Sequence, residues 1–92
     1  MAIPTLPAAV TVYRRTPAFT ETTVPAALTR WHDTKAGVWG RIVVEQGRLR
    51  YHMLEREETV DLGAGDSAVI EPQAPHKVEP LGSVVFYVEF LR

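Results

Sequence analysis

Cysteine is absent from the 92 residues of this sequence. Its absence excludes disulfide bonds, cysteine-ligated zinc and thiol nucleophiles, so any metal ion must be bound by His, Asp, Glu or water. A chain without cysteine suits a reducing compartment, and we therefore expect a cytoplasmic location.

An excess of charge of one sign is also lacking, since ten Lys and Arg residues are balanced by eleven Asp and Glu residues. Because the two signs are interspersed, no basic surface for nucleic acid is predicted. No apolar run approaches the roughly 18 residues of a membrane-spanning helix, so we expect neither nucleic acid nor a membrane as a partner. The hydrophobic content of 46% is sufficient for the core of one domain, which we expect to span residues 1–92.

Long helices are not predicted, because prolines interrupt residues 1–29 at Pro4, Pro7, Pro17 and Pro25. We predict an extended, proline-rich N-terminal arm over 1–29, with edge strands around 10–15 and a short turn of helix at 25–28. The arm is expected to pack against the sheet of its own domain. Pairing with the sheet of a second copy, which would give a homodimer, is the alternative.

From Val38 onward, apolar and polar residues alternate with the period of two that is typical of a strand with distinct faces. Residues 38–45 and 48–53 are predicted to form a hairpin with a tight turn at Gly47, since glycine can take a positive φ. Further strands are predicted at 59–62, 67–71, 76–79 and 84–91, with turns at 56–58, 63–66 and 81–83. Seven or eight short strands predict an all-β fold, an antiparallel barrel or sandwich with its barrel over 30–92.

Three segments carry a resemblance to a known family. The stretch 65–76, G-D-S-A-V-I-E-P-Q-A-P-H, is similar to the second cupin motif, in which a Pro precedes a His by four residues. Together with R-W-H-D-T-K-A-G-V-W at 30–39 and V-V-E-Q-G-R-L-R-Y at 43–51, it closely resembles the small cupin-like family related to tellurite-resistance proteins. That family includes the N-terminal domain of the TehB methyltransferase. The resemblance covers about residues 16–92 and implies a single cupin-like β-barrel or jelly-roll sandwich.

The sequence departs from the cupin pattern at the first cupin motif, which normally supplies two His one residue apart and a Glu before the glycine of the hairpin turn. Counted back from Gly47, these positions hold Gly40 and either Asp33 with Lys35 or Thr34 with Ala36. The usual metal site of three His and one Glu is therefore absent. His32 lies near the expected position but is offset from it.

His76 is the first candidate site residue, because it lies in the stretch E-P-Q-A-P-H-K-V-E at 71–79, framed by two prolines and two glutamates. The prolines restrict the backbone and hold the imidazole at one angle. The resemblance implies that this His points into the barrel mouth, where it commonly binds a metal. Neutral imidazole suits a divalent ion such as Zn, Fe, Ni or Mn. The alternative is a His that hydrogen-bonds the barrel rim.

His32 and Glu79 are the candidates to complete a metal site with His76. Asp33 follows His32 and would orient its ring if the local turn brings the carboxylate round. Glu79 lies three residues after His76, on the opposite face of a regular strand unless the chain bends before Pro80. The alternatives are a loop His and a solvated carboxylate at the end of a strand.

These residues support three classes of function. In the first, the protein binds a divalent metal, a small ligand or both in the barrel mouth through His76 and His32, and a bound metal would activate water or a carbonyl. The alternative is a non-catalytic, dimeric binding or sensory module without a metal. The third is metal-free sugar chemistry, with His76 as general base and Tyr87 or Tyr51 as acid. Tyr87 lies beside Glu89, a carboxylate that is costly in this apolar strand unless it is paired or metal-bound.

Overall fold

The computed structural model describes residues 4–92, so the first three residues of the predicted arm lie outside the described part of the chain. Six strands and one short 3-10 helix follow in the order β1 (Val12–Arg15), β2 (Phe19–Thr20), the 3-10 helix (Ala26–Thr29), β3 (Trp39–Met53), β4 (Glu58–Gly63), β5 (Ser67–Ile70) and β6 (His76–Leu91). Every pairing between these strands is antiparallel. The predicted all-β antiparallel fold is confirmed, and β4 and β5 fall on two of the predicted strands.

The two long strands, β3 and β6, lie at the centre of the sheet. They pair along nearly their whole length, from Trp39 opposite Leu91 to Met53 opposite His76. The other edge of β3 pairs with β5 and then with β4, while β1 and β2 pair with the other edge of β6. One six-stranded sheet therefore contains all the strands.

The predicted hairpin over 38–53 is wrong, because β3 continues through Gly47 as one strand. Two bulges interrupt its pairing with β6: Glu45 is an extra residue on β3, and residues 81–83 of β6 lie opposite the single residue Arg48. The predicted turn at 81–83 is thus also a bulge, and the strands predicted at 76–79 and 84–91 are one strand, β6. A turn and a bulge both shift the alternating pattern and both accept glycine at positive φ, so the sequence pattern does not distinguish them.

The core lies on one side of this bent sheet. On β3 the buried positions change phase at the bulges, from Gly40, Ile42 and Val44 to Leu49, Tyr51 and Met53. Apart from Gly40, both sets belong to one hydrophobic cluster, which also contains Leu62, Ala68, Ile70, Val78, Val84, Phe86 and Val88. Since the two halves of β3 bury their side chains in the same cluster, the sheet curls around it.

The N-terminal arm packs on the sheet of its own chain, as predicted. β1 pairs with β6, and the guanidinium groups of Arg14 and Arg15 lie 5.3 Å and 4.0 Å from the ring centres of Phe90 and Tyr87. The predicted turn of helix is the 3-10 helix. Among residues 4–92, no helix is long and apolar enough to cross a membrane. The homodimer stays a prediction.

Glu89, the carboxylate within the otherwise apolar end of β6, forms an ion pair with Arg41. Nη2 of Arg41 lies 2.7 Å from Oε1 of Glu89, and Nε donates to the same oxygen at 2.8 Å. Both side chains are on the outer face of the sheet, where the carboxylate is only 15% exposed. A largely buried carboxylate is tolerated when it is paired in this way, so Glu89 needs no metal.

Candidate functional site

Backbone hydrogen bonds join His32 to His76 at the start of β6. The N–H of each residue donates to the carbonyl of the other, at 3.0 Å and 2.8 Å, which forms an isolated antiparallel bridge. The two imidazole rings consequently lie side by side, with 4.1 Å between their centres and 55° between their planes. The structure therefore brings together two of the three predicted site residues, and we refer to them below as the histidine pair.

The two rings of the histidine pair are held by the same kind of contact. Nδ1 of His32 lies 2.9 Å from the carbonyl oxygen of Arg30, and Nδ1 of His76 lies 2.9 Å from that of Ala74. A carbonyl oxygen only accepts hydrogen bonds, so each Nδ1 carries a proton, and the neutral form of either ring has its lone pair on Nε2. The predicted role of Asp33 in orienting His32 is wrong, because a carbonyl two residues before the ring does this instead.

His76 is buried, with 3% of its surface exposed. Burial is the main reason that its pKa is lowered to about 4, and the positive charge that His32 can carry lowers it further. The carbonyl of Ala74 and the carboxylate of Asp33 raise the pKa but do not offset the burial. The His76 ring is therefore neutral at pH 7.

The histidine pair lines a cavity of about 280 Å³. Most of the remaining wall is apolar and includes Phe19, Leu28, Ile42, Ile70, Phe86 and Val88. An engineered apolar cavity of roughly 150 Å³ in another protein binds benzene, so this volume is sufficient for a one-ring molecule. The sequence pattern assigns no site role to the arm, yet Phe19 and Leu28 come from it, because only the folded chain brings the arm across the barrel mouth.

A second pocket, of about 300 Å³, shares His76 with the first and is lined by more polar residues, among them Tyr51, Arg56 and Glu71. Arg56 and Glu71 form an ion pair at 3.0 Å. The Tyr51 hydroxyl donates to the carbonyl of Val69 at 3.1 Å, and burial raises the pKa of this tyrosine. Tyr87, the other predicted acid, lies against Arg15 instead. Neither tyrosine lines the cavity of the histidine pair.

The third predicted ligand, Glu79, does not join the histidine pair. Its Oε1 lies 3.0 Å from Nε2 of His52, and the Glu79 side chain is 54% exposed. Within residues 4–92, no group of three or more His, Asp or Glu side chains is arranged to hold a metal ion. Two imidazoles fall short of the three protein ligands of a typical catalytic zinc site, so the described residues do not complete the predicted set of ligands for such a site.

Comparison with known proteins shows the family to which this chain belongs. A family model described as the TehB-like domain matches residues 14–88. The probable S-adenosyl-L-methionine-dependent methyltransferase TehB of Haemophilus influenzae is 31% identical over 74 residues, which are 75% of this chain and 26% of the methyltransferase. The chain thus spans about a quarter of the length of this curated relative.

Solved structures agree with the family match. A crystal structure of an Escherichia coli K12 protein has a TM-score of 0.88 and 25% identity, covering 98% of this chain and 97% of the other. For TehB of H. influenzae the TM-score is 0.79 with 27% identity, over 89% of this chain and 31% of that one.

A cupin-2 domain protein of Shewanella frigidimarina, at 22% identity, shares the fold with a TM-score of 0.58 over 67% of this chain and 58% of its own. The antiparallel sheet and these neighbours confirm the predicted cupin-like fold. The family model matches most of this chain, so the chain belongs to the TehB-like family, which is related to tellurite resistance.

Proposed function

We propose that this domain binds a small, mainly apolar molecule in the cavity that the histidine pair lines. One observation carries the proposal: an apolar cavity of about 280 Å³ has a buried, neutral imidazole in its wall. A concave apolar site with a few polar groups is the usual form of a small-molecule site. The buried ring would orient a bound molecule, while the apolar wall would supply most of the affinity.

We propose binding without catalysis or a metal. A general base needs an acid or a nucleophile near the substrate, and neither Tyr51 nor Tyr87 lines this cavity. Tyr51 shares the second pocket with His76, but its hydroxyl donates to the carbonyl of Val69. The predicted metal set of His76, His32 and Glu79 does not support a metal-dependent reaction, since Glu79 pairs with His52. The methyl transfer in the name of the H. influenzae relative concerns a protein of which this chain matches only about a quarter.

Toluene is the simplest probe of the cavity. A ligand of seven carbon atoms that fills an apolar pocket is expected to bind with a Kd of about 1 mM or tighter. In a ¹H–¹⁵N NMR titration, the amide signals of Leu28, Ile70 and Val88 should shift, whereas that of Asp61, on the outer face of β4, should not.

A cavity-filling variant and a matched surface variant complete this test. Leu28→Trp places a larger side chain into the cavity from the 3-10 helix, so it should weaken toluene binding at least about tenfold. Leu54→Trp is the control, because Leu54 is 46% exposed and lines neither pocket. Shifts confined to other residues, or equal affinity of the two variants, would contradict the proposal.

A further inference from the structure

We infer that the cavity selects a molecule whose polar group donates hydrogen bonds, such as an amide, a hydroxyl or an amidinium group, and discriminates against carboxylates and other oxyanions. This inference rests on the proposed function and adds the chemical class of the ligand. It follows from the hydrogen bonds of the histidine pair, in which each Nδ1 donates to a backbone carbonyl and Nε2 is left as an acceptor.

The Nε2 atoms of the histidine pair are the polar atoms that the two rings can offer to a ligand. Both Nδ1–H groups are used by the carbonyls of Arg30 and Ala74. Among the described residues, nothing forms a hydrogen bond with Nε2 of either ring. Each of the two rings, whose centres are 4.1 Å apart, therefore offers an acceptor, which suits a ligand group that carries N–H or O–H donors.

An oxyanion has no donor to offer these nitrogens. Its oxygens would face two lone pairs, and burying a charge without a partner is costly. The other polar residues of the cavity wall change this little. Asp33 is an anion and would repel an oxyanion, while the hydroxyls of Thr16 and Thr34 donate to backbone carbonyls at 2.9 Å and 2.7 Å.

Among the described residues of the cavity wall, Arg14 is the one Arg or Lys, and it is the residue that could reverse this selectivity. Its guanidinium group lies 5.3 Å from the ring centre of Phe90, and the residue is exposed on β1. A charge at this position is in contact with solvent and screened by it, so it gives an anion little attraction. The histidine pair, of which His76 is buried, therefore decides which polar group is accepted.

Benzamidine, benzamide and benzoate test the inference, because they share size and shape but are cationic, neutral and anionic. At pH 7.5 we expect benzamide and benzamidine to bind at least about tenfold more tightly than benzoate, as measured by NMR titration. One hydrogen bond to the pair corresponds to a roughly tenfold gain in affinity. Benzoate binding as tight as benzamide, or tighter, would overturn the inference. If that binding were lost in Arg14→Gln, Arg14 would be the anion site.

Two substitutions at His76 and one at His32 separate the Nε2 atoms from the rest of the rings. In His76→Asn the amide nitrogen can occupy the position of Nδ1 and keep the bond to Ala74, but no atom remains at Nε2. His76→Gln keeps a polar atom near Nε2. We expect the preference for benzamide over benzoate to fall below about threefold in His76→Asn and His32→Asn and to persist in His76→Gln. An unchanged preference in both Asn variants would overturn the inference.

The toluene titration distinguishes the two failures. If toluene binds and benzoate matches benzamide, the selectivity is wrong and the cavity is still a ligand site. If neither toluene nor benzamide binds, the proposed function and the inference both fail. His32→Asn keeps the test independent of the folding of the His76 variants, because His32 is only half-buried.

Discussion

Gly47→Ala is expected to lower the free energy of unfolding by about 3 to 5 kcal/mol, which is among the larger effects of a single substitution. Gly47 has a φ of +74° and lies at a bulge in the pairing of β3 with β6. A Cβ atom at this position would lie 1.9 Å from the carbonyl oxygen of Ser83. That neighbour is backbone, so relief of the contact requires the two long strands to separate.

Gly82→Ala is the matched control for the close approach. Gly82 has a φ of +89° on the opposite strand of the same bulge, but a Cβ atom there would meet nothing within 4 Å. Only the conformational penalty of about 1 to 2 kcal/mol then remains. Urea unfolding followed by circular dichroism measures both values. Equal losses in the two variants would mean that the approach of Gly47 to β6 has no energetic consequence.

Acid is expected to destabilise the fold by about 3 kcal/mol through His76 alone. Burial lowers the pKa of His76 to about 4 in the folded chain, against 6.5 as the ordinary value. Between these pH values the unfolded chain binds a proton that the folded chain does not, so protonation favours unfolding. This contribution to stability is fully present above pH 6.5 and is lost as the pH falls towards 4.

The carboxylates also titrate near pH 4, so the contribution of His76 is obtained as a difference. His76→Asn cannot take up the proton, and its free energy of unfolding should fall less than that of the wild type between pH 7 and pH 4.5. Urea titrations at several pH values measure this difference. Parallel pH profiles for the two proteins would show that the folded state does not hold His76 neutral.

The strands and their buried faces could be predicted from the sequence, except where two strands approach each other closely at a bulge. The alternation of buried Ile42 and Val44, and later of Leu49 and Tyr51, correctly predicts which face enters the core. Local pattern does not reveal that the two segments are one strand, because the close approach of Gly47 to Ser83 is a contact between distant parts of the chain. The predicted hairpin turn was therefore a bulge.

The candidate site, too, could be predicted from the sequence only in part. The proline-framed stretch makes His76 a candidate, and the structure places it in the cavity wall, whereas only its loop position makes His32 a candidate. Glu79 is on the opposite face, as its spacing of three residues from His76 requires on a regular strand. Phe19 and Leu28 carry no sequence signal for a cavity, because their role depends on where the arm crosses the barrel.

The protonation of the ring nitrogens of the histidine pair tests most directly whether the pair is the acceptor site of a ligand cavity. A long-range ¹H–¹⁵N NMR spectrum at pH 7 distinguishes protonated from unprotonated ring nitrogens, and His52 serves as a reference outside the cavity. We predict that Nδ1 is protonated and Nε2 unprotonated in both His32 and His76, and that benzamide shifts only the two Nε2 signals. Protonated Nε2 atoms, or Nε2 signals that do not respond to benzamide, would contradict the assignment of the pair as the acceptor site of a ligand cavity.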